Sequence, residues 1–494
     1  MTLRTLCLFF SFLTLVSCSI SKVYDPDKKY PKQELQQDYS LLRNILEKKH
    51  PSLYWYTSKD SINNFFKEGY QHIEDSMTEL QFGWKIIAPL THNIHCGHTS
   101  FSMSKGWNKF IRRKRIPSFP LNLKVWDDTM VVSSNLNSKD SLIKKGTLIK
   151  AINGISNKVL IQQIFRYLSE DGYADNVNYI RLSGSFPYFH RNVFGLYKNY
   201  SVQYLDSTGN EKKKLVPLFI PHVDSAQNQK TAGNGIKAFK ISRKNRLENI
   251  RSLTMDSATN MAILSLSSFS KGHLRSFFHQ TFRTLKKTKV RDLAIDLRGN
   301  GGGEISNYVL LSKYIRNTSF KVADTAASVA KTLHPYNRYI KSGLLNSLGL
   351  LLFTGHRRDH TFHFGFWEKH TIMPKMKNHF SGHVYVLTNG LTFSASTLFC
   401  NSVKGQKNVT LVGEETGGGW YGNSGIFIPE IILPHTRLRV RLPLFRLVQY
   451  DHVAIKGTGI PPDVFVRPSV RDIIDNVDRK MEVVRSLVKG RKPL

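Results

Sequence analysis

A strand, a helix and a second strand joined by short links constrain this chain more than any other stretch. Met261–Leu266 is a short apolar run, residues 276–287 place their apolar side chains at helical spacing, and Asp292–Asp296 is again short and apolar. With links this short, the two strands lie parallel in one sheet and the helix packs on its face. A further aliphatic run, 384–387, is followed by a Thr-Asn-Gly turn and then by small hydroxylic and apolar residues up to Cys400. That composition predicts a helix starting near Ser394 and packed closely on the sheet. The domain, taken as 259–494, is therefore α/β with a mostly parallel sheet.

Both strands run into unusual loops. The first ends in Asp296-Leu297-Arg298-Gly299-Asn300 and then Gly301, Gly302 and Gly303. Glycines there let the backbone turn tightly and present N–H donors to a ligand or a developing oxyanion. A phosphate-cradling loop wants Lys-Ser/Thr after its last glycine, whereas Glu304-Ile305 follows here. The second strand leads to Ser394 at a strand-to-helix turn, where a nucleophile is held open and faces helix N–H groups. A plain helix cap at Ser394 or Ser396 is the alternative.

Four segments occur in order: Asp296-Leu-Arg-Gly-Asn-Gly-Gly-Gly303, Thr392-Phe-Ser-Ala395, Gly413-Glu-Glu-Thr-Gly-Gly-Gly419 and Gly459-Ile-Pro-Pro-Asp463. Together they resemble the tail-specific (C-terminal processing) serine peptidase family and its tricorn-like relatives. The resemblance implies a ClpP/crotonase-like α/β catalytic domain, Ser394 as nucleophile, and an oxyanion hole formed by the N–H groups of Gly302 and Ala395. The processing branch takes its base from a Lys in a Thr-x-Gly-Lys-Gly segment. Here Thr416 to Trp420 carries glycine at that place, so the resemblance is closer to the tricorn-like branch that lacks this Lys.

Ser394 then needs another base, since a free serine hydroxyl is barely nucleophilic at neutral pH. Three histidines, His92, His95 and His98, crowd one short segment. They read as an exposed polar turn, as a metal site whose spacing suits only a helix, or, for His98 in Gly97-His98-Thr99, as the base. The tricorn-like branch bears its His on such a segment. It also carries an acidic member in the region of Asp451, with Glu414 and Glu415 as rivals for orienting the imidazole. Lys404 and Lys407 read as surface charges, and Cys400 as a small buried hydrophobe rather than a nucleophile. Cys96 and Cys400 are the thiols left to pair in an exported chain. His360 and His363 fall on opposite faces of an alternating run and do not suggest a metal.

The remaining chain divides by pattern. Residues 1–17 hold Arg4 and an apolar core too short for a mature membrane helix. The closing Leu15-Val-Ser-Cys18 matches a bacterial lipoprotein signal, implying lipidation at Cys18 and attachment to the cell envelope; an ordinary secretory signal is the alternative. A polar tether spans 18–32, a helical region 33–105, and a β-rich region 106–225 that resembles a PDZ domain and would capture peptide by strand addition. Residues 226–258 read as a linker. Residues 316–382 read as an insertion covering the substrate, and 472–488 as an amphipathic closing helix. At 494 residues with 40% hydrophobic content, several folded units are expected, and a net charge of +35 predicts affinity for anionic surfaces. The cations are scattered and no nucleic-acid motif accompanies them, so no specific nucleic acid is expected. The expected partner is a protein or peptide substrate, with neither metal nor organic cofactor. The same fold in vertebrate retinoid-binding proteins carries ligands, so a silent binding module is the runner-up.

Overall fold

A computed structural model describes residues 24–112, 114–221, 243–451 and 456–491. The signal segment, Cys18 and most of the expected linker lie outside these residues.

The βα pattern closes into a six-stranded sheet in the order Arg251–Asp256, Met261–Leu266, Asp292–Asp296, His383–Thr388, Val409–Gly413 and Val464–Phe465. The first pair is antiparallel and the other four pairings are parallel. Asp292–Asp296 and His383–Thr388 are central, and their near-continuous apolar sequence reflects burial on both faces. Helices Leu274–Thr288, Ile305–Ile315 and Ala395–Val403 cover one face. Arg479–Gly490 packs Met481 and Val484 on the other. Phe278 and Phe282 are fully buried in the first of these layers, and truncating either to Ala costs about 3–5 kcal/mol. The strand Arg251–Asp256 falls where a linker was expected, because its pairing with Met261–Leu266 gives its backbone groups a partner that a polar, basic sequence does not announce.

The N-terminal helices Lys32–Lys49 and Lys59–Gln71 are followed by an unbroken helical run through Glu79–Phe82, Gly83–Ile87 and Ala88–Asn93. The middle turn is a π-helix. Pro89 lacks an N–H and its ring crowds the preceding turn, and the widened turn lets the run continue through it. These helices do not close a core alone. Leu42, Leu46, Phe66 and Phe82 share one with Ile340, Ile431, Val440 and Phe445, far along the chain.

The β-rich region forms its own antiparallel sheet, Leu121–Trp126, Thr129–Asn135, Leu148–Ile152, Asn199–Leu205 and Glu211–Pro217, with Ile155–Ser156 beside the third strand. Helix Asn157–Phe165 follows that short strand. A second helix, Asn176–Phe194, was not legible in the sequence. Gly184, Ser185 and Pro187 are poor helix formers, the run is kinked at Ser185, and packing of Leu182 and Phe186 into the sheet's core holds it.

The stretch expected to cover the substrate is built into two further antiparallel sheets. One runs Gly355–His356, Phe362–His363, Ala323–Ser328, Phe445–Gln449, Gly422–Gly425. The other runs Ile340–Lys341, Glu430–Ile432, Arg439–Arg441, Phe101–Ser102. The alternation read over 361–367 yields only the two-residue strand Phe362–His363 before helix Gly365–Lys369. His363 is held between Asp359 and Glu368. The closing helix is two helices, Val470–Asp475 and Arg479–Gly490, separated by Asn476 in a left-handed conformation (φ 55°). Asp478 caps the second by accepting the Met481 N–H and also pairs with Arg298.

Candidate active site

Asp296 and Leu387 are register partners, so the loops leaving the two central strands emerge side by side. Polar side chains stitch them together. Asn389 Oδ1 accepts the N–H groups of Gly299 and Leu391, Thr392 Oγ1 donates to the Leu297 carbonyl, and the Phe393 N–H donates to the Asn300 carbonyl. Asn300 is fully buried; its amide donates to Leu266 O and its Oδ1 accepts the Gly302 N–H at 3.0 Å. Arg298 lies outside this cluster, forked between Asp296 and Asp478, whose charges hold its guanidinium firmly protonated against the cost of burial.

Ser394 occupies the turn into helix Ala395–Val403 with φ 56° and ψ −122°, a conformation costly for a residue with a Cβ. Its side chain makes no cap, and its carbonyl accepts the Leu398 N–H as the helix begins. Gly302, at φ 97°, comes so close that a Cβ there would stand 2.7 Å from Ser394 Cβ and 2.8 Å from the Ala395 nitrogen. A Cβ on Gly303 would meet the Ser270 nitrogen at 2.4 Å. The glycine run is therefore a steric requirement for bringing a backbone wall against Ser394. The Ala395 N–H opens the helix, where the dipole favours negative charge.

His98 lines the same cleft of about 810 Å³ as Ser394, Gly302, Ala395 and Trp367. Its ring lies against Phe393, centroids 4.9 Å apart. Neither ring nitrogen has a hydrogen-bond partner among the described residues, so the imidazole and Ser394 Oγ face the cleft without being bonded. Behind His98 stands Asp171, 3.8 Å from Nδ1. Asp171 Oδ1 accepts the Gly97 N–H at 2.8 Å and Oδ2 accepts the Gly419 N–H at 3.4 Å, which ties the histidine segment to the glycine-rich one.

The acid is where sequence reasoning and structure part. Asp451 sits on an exposed turn at φ 53°, its N–H donating to Asp324. Two residues earlier Gln449 is buried and donates to Gly419 O, so the strand directs an amide, not a carboxylate, toward this region. The rivals are engaged elsewhere: Glu414 pairs with the buried Lys480, and Glu415 accepts the Gly459 N–H. Asp171 was missed because it precedes the unforeseen helix Asn176–Phe194. The signal available was the adjacent pair Glu170-Asp171 in a chain poor in acids.

The other histidines are accounted for by Glu170. His95 Nδ1 lies 2.9 Å from Oε1, His92 Nδ1 lies 2.7 Å from Leu168 O and 3.4 Å from Glu170 Oε2, and Asn178 donates to Oε2. Burial opposes charge on both His92 and Glu170, but their mutual attraction outweighs it, raising His92 and lowering Glu170. Among the described residues no group of three or more His, Cys, Asp or Glu is arranged to hold a metal. Cys96 and Cys400 are both buried and free, and burial pushes each thiol up to about 12. At the place where a lysine would stand, a Cβ on Gly419 would lie 2.4 Å from the Gly422 carbonyl oxygen. Among the described residues no lysine lines the cleft, and Lys404 pairs with Asp463.

Residues 260–466 match the model of peptidase family S41. No curated protein matches the chain. Among solved structures, mature CPAF is similar with a TM-score of 0.59 at 13% identity, covering 94% of this chain and 99% of that one. Mature CPAF complexed with lactacystin is similar with a TM-score of 0.58 at 13% identity, covering 93% and 99%. At such identities the likeness establishes the fold. That match over residues 260–466 makes the enzyme class that of a peptidase.

Proposed function

We propose that the chain is a serine-type endopeptidase acting by acyl transfer on unfolded or tail-exposed proteins. The observation that carries this reading is Ser394 held open at a positive-φ turn, against the Gly302 backbone and in one cleft with an Asp171-backed His98. Ser394 Oγ attacks the peptide carbonyl while His98 Nε2 takes its proton. The tetrahedral oxyanion rests on the Ala395 N–H and on the Gly302 N–H once that group turns from Asn300 Oδ1. His98 then delivers the proton to the leaving amine, and water, deprotonated by the same ring, releases the acyl group. Asp171 orients the imidazole and faces the imidazolium as it forms. No described lysine lines the cleft, which supports a base of the tricorn-like pattern.

The test is digestion of an unstructured protein by the parent and by Ser394→Ala, read by mass spectrometry. Cleavage by the parent alone supports the proposal; equal cleavage by both removes Ser394 from it. One observation favours a silent binding module instead: His98 Nε2 makes no bond to Ser394. No cleavage by either folded chain selects that reading.

The Leu15-Val-Ser-Cys18 motif supports export and lipid anchoring at Cys18, and hence an envelope location. Cys18→Ser abolishing incorporation of labelled fatty acid is the expected result. The antiparallel sheet of residues 121–217 supports a PDZ-like role in presenting peptide. A pulldown with peptides whose C-termini are free or amidated tests it.

A further inference from the structure

Beside the catalytic cleft lies a second cavity of about 940 Å³, walled by helices Leu274–Thr288 and Ile305–Ile315. Lys271, Arg275, Lys313 and Lys375 line it together with His273 and His279, against a single carboxylate, Glu304. The chain as a whole carries 71 Lys and Arg to 36 Asp and Glu, and this wall carries four cations to its one carboxylate. None of its four permanent cations forms an ion pair among the described residues, whereas Arg298, Lys404 and Lys480 elsewhere are all paired. Lys375 lies over the Tyr314 ring, which holds the ammonium at the cavity. Helix Leu274–Thr288 opens with no side-chain cap and no acidic residue in its first turn, so its N-terminus adds positive potential.

The two cavities share Ser270 and Glu304. Gly302 abuts Ser394 and Gly303 abuts Ser270, so two consecutive glycines lead from the nucleophile to the cationic wall. A peptide lying extended across Ser394 therefore runs toward the cationic wall.

We propose that this cavity is a substrate subsite for acidic side chains, so that the enzyme selects Asp or Glu at one position to one side of the bond it cleaves. The inference rests on the peptidase reading above. The shared wall favours a peptide occupant over an anionic membrane, since a lipid surface would not reach into the catalytic cleft.

The test uses the full chain and fluorogenic peptides carrying Glu or Gln at each of the four positions on either side of the cleaved bond. Expected is a kcat/KM ratio of Glu to Gln of about tenfold at one position, collapsing at high salt, where screening shortens to about 3 Å. In the Lys271→Glu/Arg275→Glu variant that ratio falls to one or below. Equal cleavage of Glu and Gln peptides at every position, or a ratio unmoved by the charge reversal, overturns the proposal. If no peptide is cleaved, the peptidase reading fails separately. Fluorescence anisotropy with the same peptides on Ser394→Ala then decides the subsite, expecting acidic peptides to bind about tenfold tighter. Phosphatidylglycerol vesicles are the control: charge reversal weakening vesicle binding while leaving the peptide ratio intact assigns the cavity to a membrane surface and refutes the subsite.

Discussion

Replacing Asp171 with Asn isolates the charge behind His98. Asp171 Oδ1 lies 3.8 Å from His98 Nδ1, and the two side chains are only 2% and 5% exposed, so water screens the pair weakly. At an effective dielectric near 20 the attraction between this carboxylate and an imidazolium is about 4 kcal/mol. The N–H groups of Gly97 and Gly419 already draw on the carboxylate, so about 2–4 kcal/mol is the share expected in the transition state, or roughly 30- to 1,000-fold in kcat. KM should change by less than about twofold, because Asp171 stands behind the histidine and does not line the cleft. Asn still accepts the Gly97 N–H through its oxygen, but its amide would face the Gly419 N–H, at a stability cost of about 1–3 kcal/mol. The assay is steady-state hydrolysis of a peptide drawn from a cleaved site, with thermal unfolding run in parallel and Asp451→Asn as comparison. A folded Asp171→Asn retaining kcat within about threefold of the parent would refute the reasoning, as would an equal loss in Asp451→Asn.

Three further outcomes follow from the structure. Gly302→Ala puts a Cβ 2.7 Å from Ser394 Cβ at φ 97°; the strain is about 1–2 kcal/mol and a displaced nucleophile lowers kcat by about 10²-fold, while Gly299→Ala, at φ 84° with a Cβ that meets nothing within 4 Å, carries similar backbone strain without pressing on Ser394 and lowers the rate far less. Asp472 accepts from Arg479 first and from Ser469, which together hold its carboxyl down to about 2, from 3.8. A depressed folded-state value means its contribution is full above about pH 4 and lost as pH falls toward 2, so the stability gap between the parent and Asp472→Asn in urea unfolding should narrow across that window. Cys96 and Cys400, buried and pushed up to about 12, should resist iodoacetamide in the native chain and react on unfolding, as read by peptide mapping. Rapid native alkylation at Cys400 would show that helix Ala395–Val403 opens readily.

By itself the sequence determined what depends on neighbours along the chain. Short apolar runs marked the strands Met261–Leu266, Asp292–Asp296 and His383–Thr388, and the short links from the first two to the helix between them made the sheet parallel. Gly302 and Gly303 announced a backbone that must lie where no side chain fits, and Ser394 announced a turn, because positive φ and close approach are local steric facts. His98 came forward as a candidate through the family resemblance of its Gly97-His98-Thr99 segment, not through local sterics.

Tertiary structure alone decided which groups meet. The carboxylate beside His98 is Asp171, brought there by helix Asn176–Phe194, whose Gly184, Ser185 and Pro187 argue locally against helix and are overruled by burial of Leu182 and Phe186. Asp451 is carried into solvent by a positive-φ turn while Gln449 takes the inward place. The N-terminal helices find their core only against strands near the other end of the chain. Such pairings are settled by strand register and by the packing of distant apolar faces, and residue spacing along the chain encodes neither.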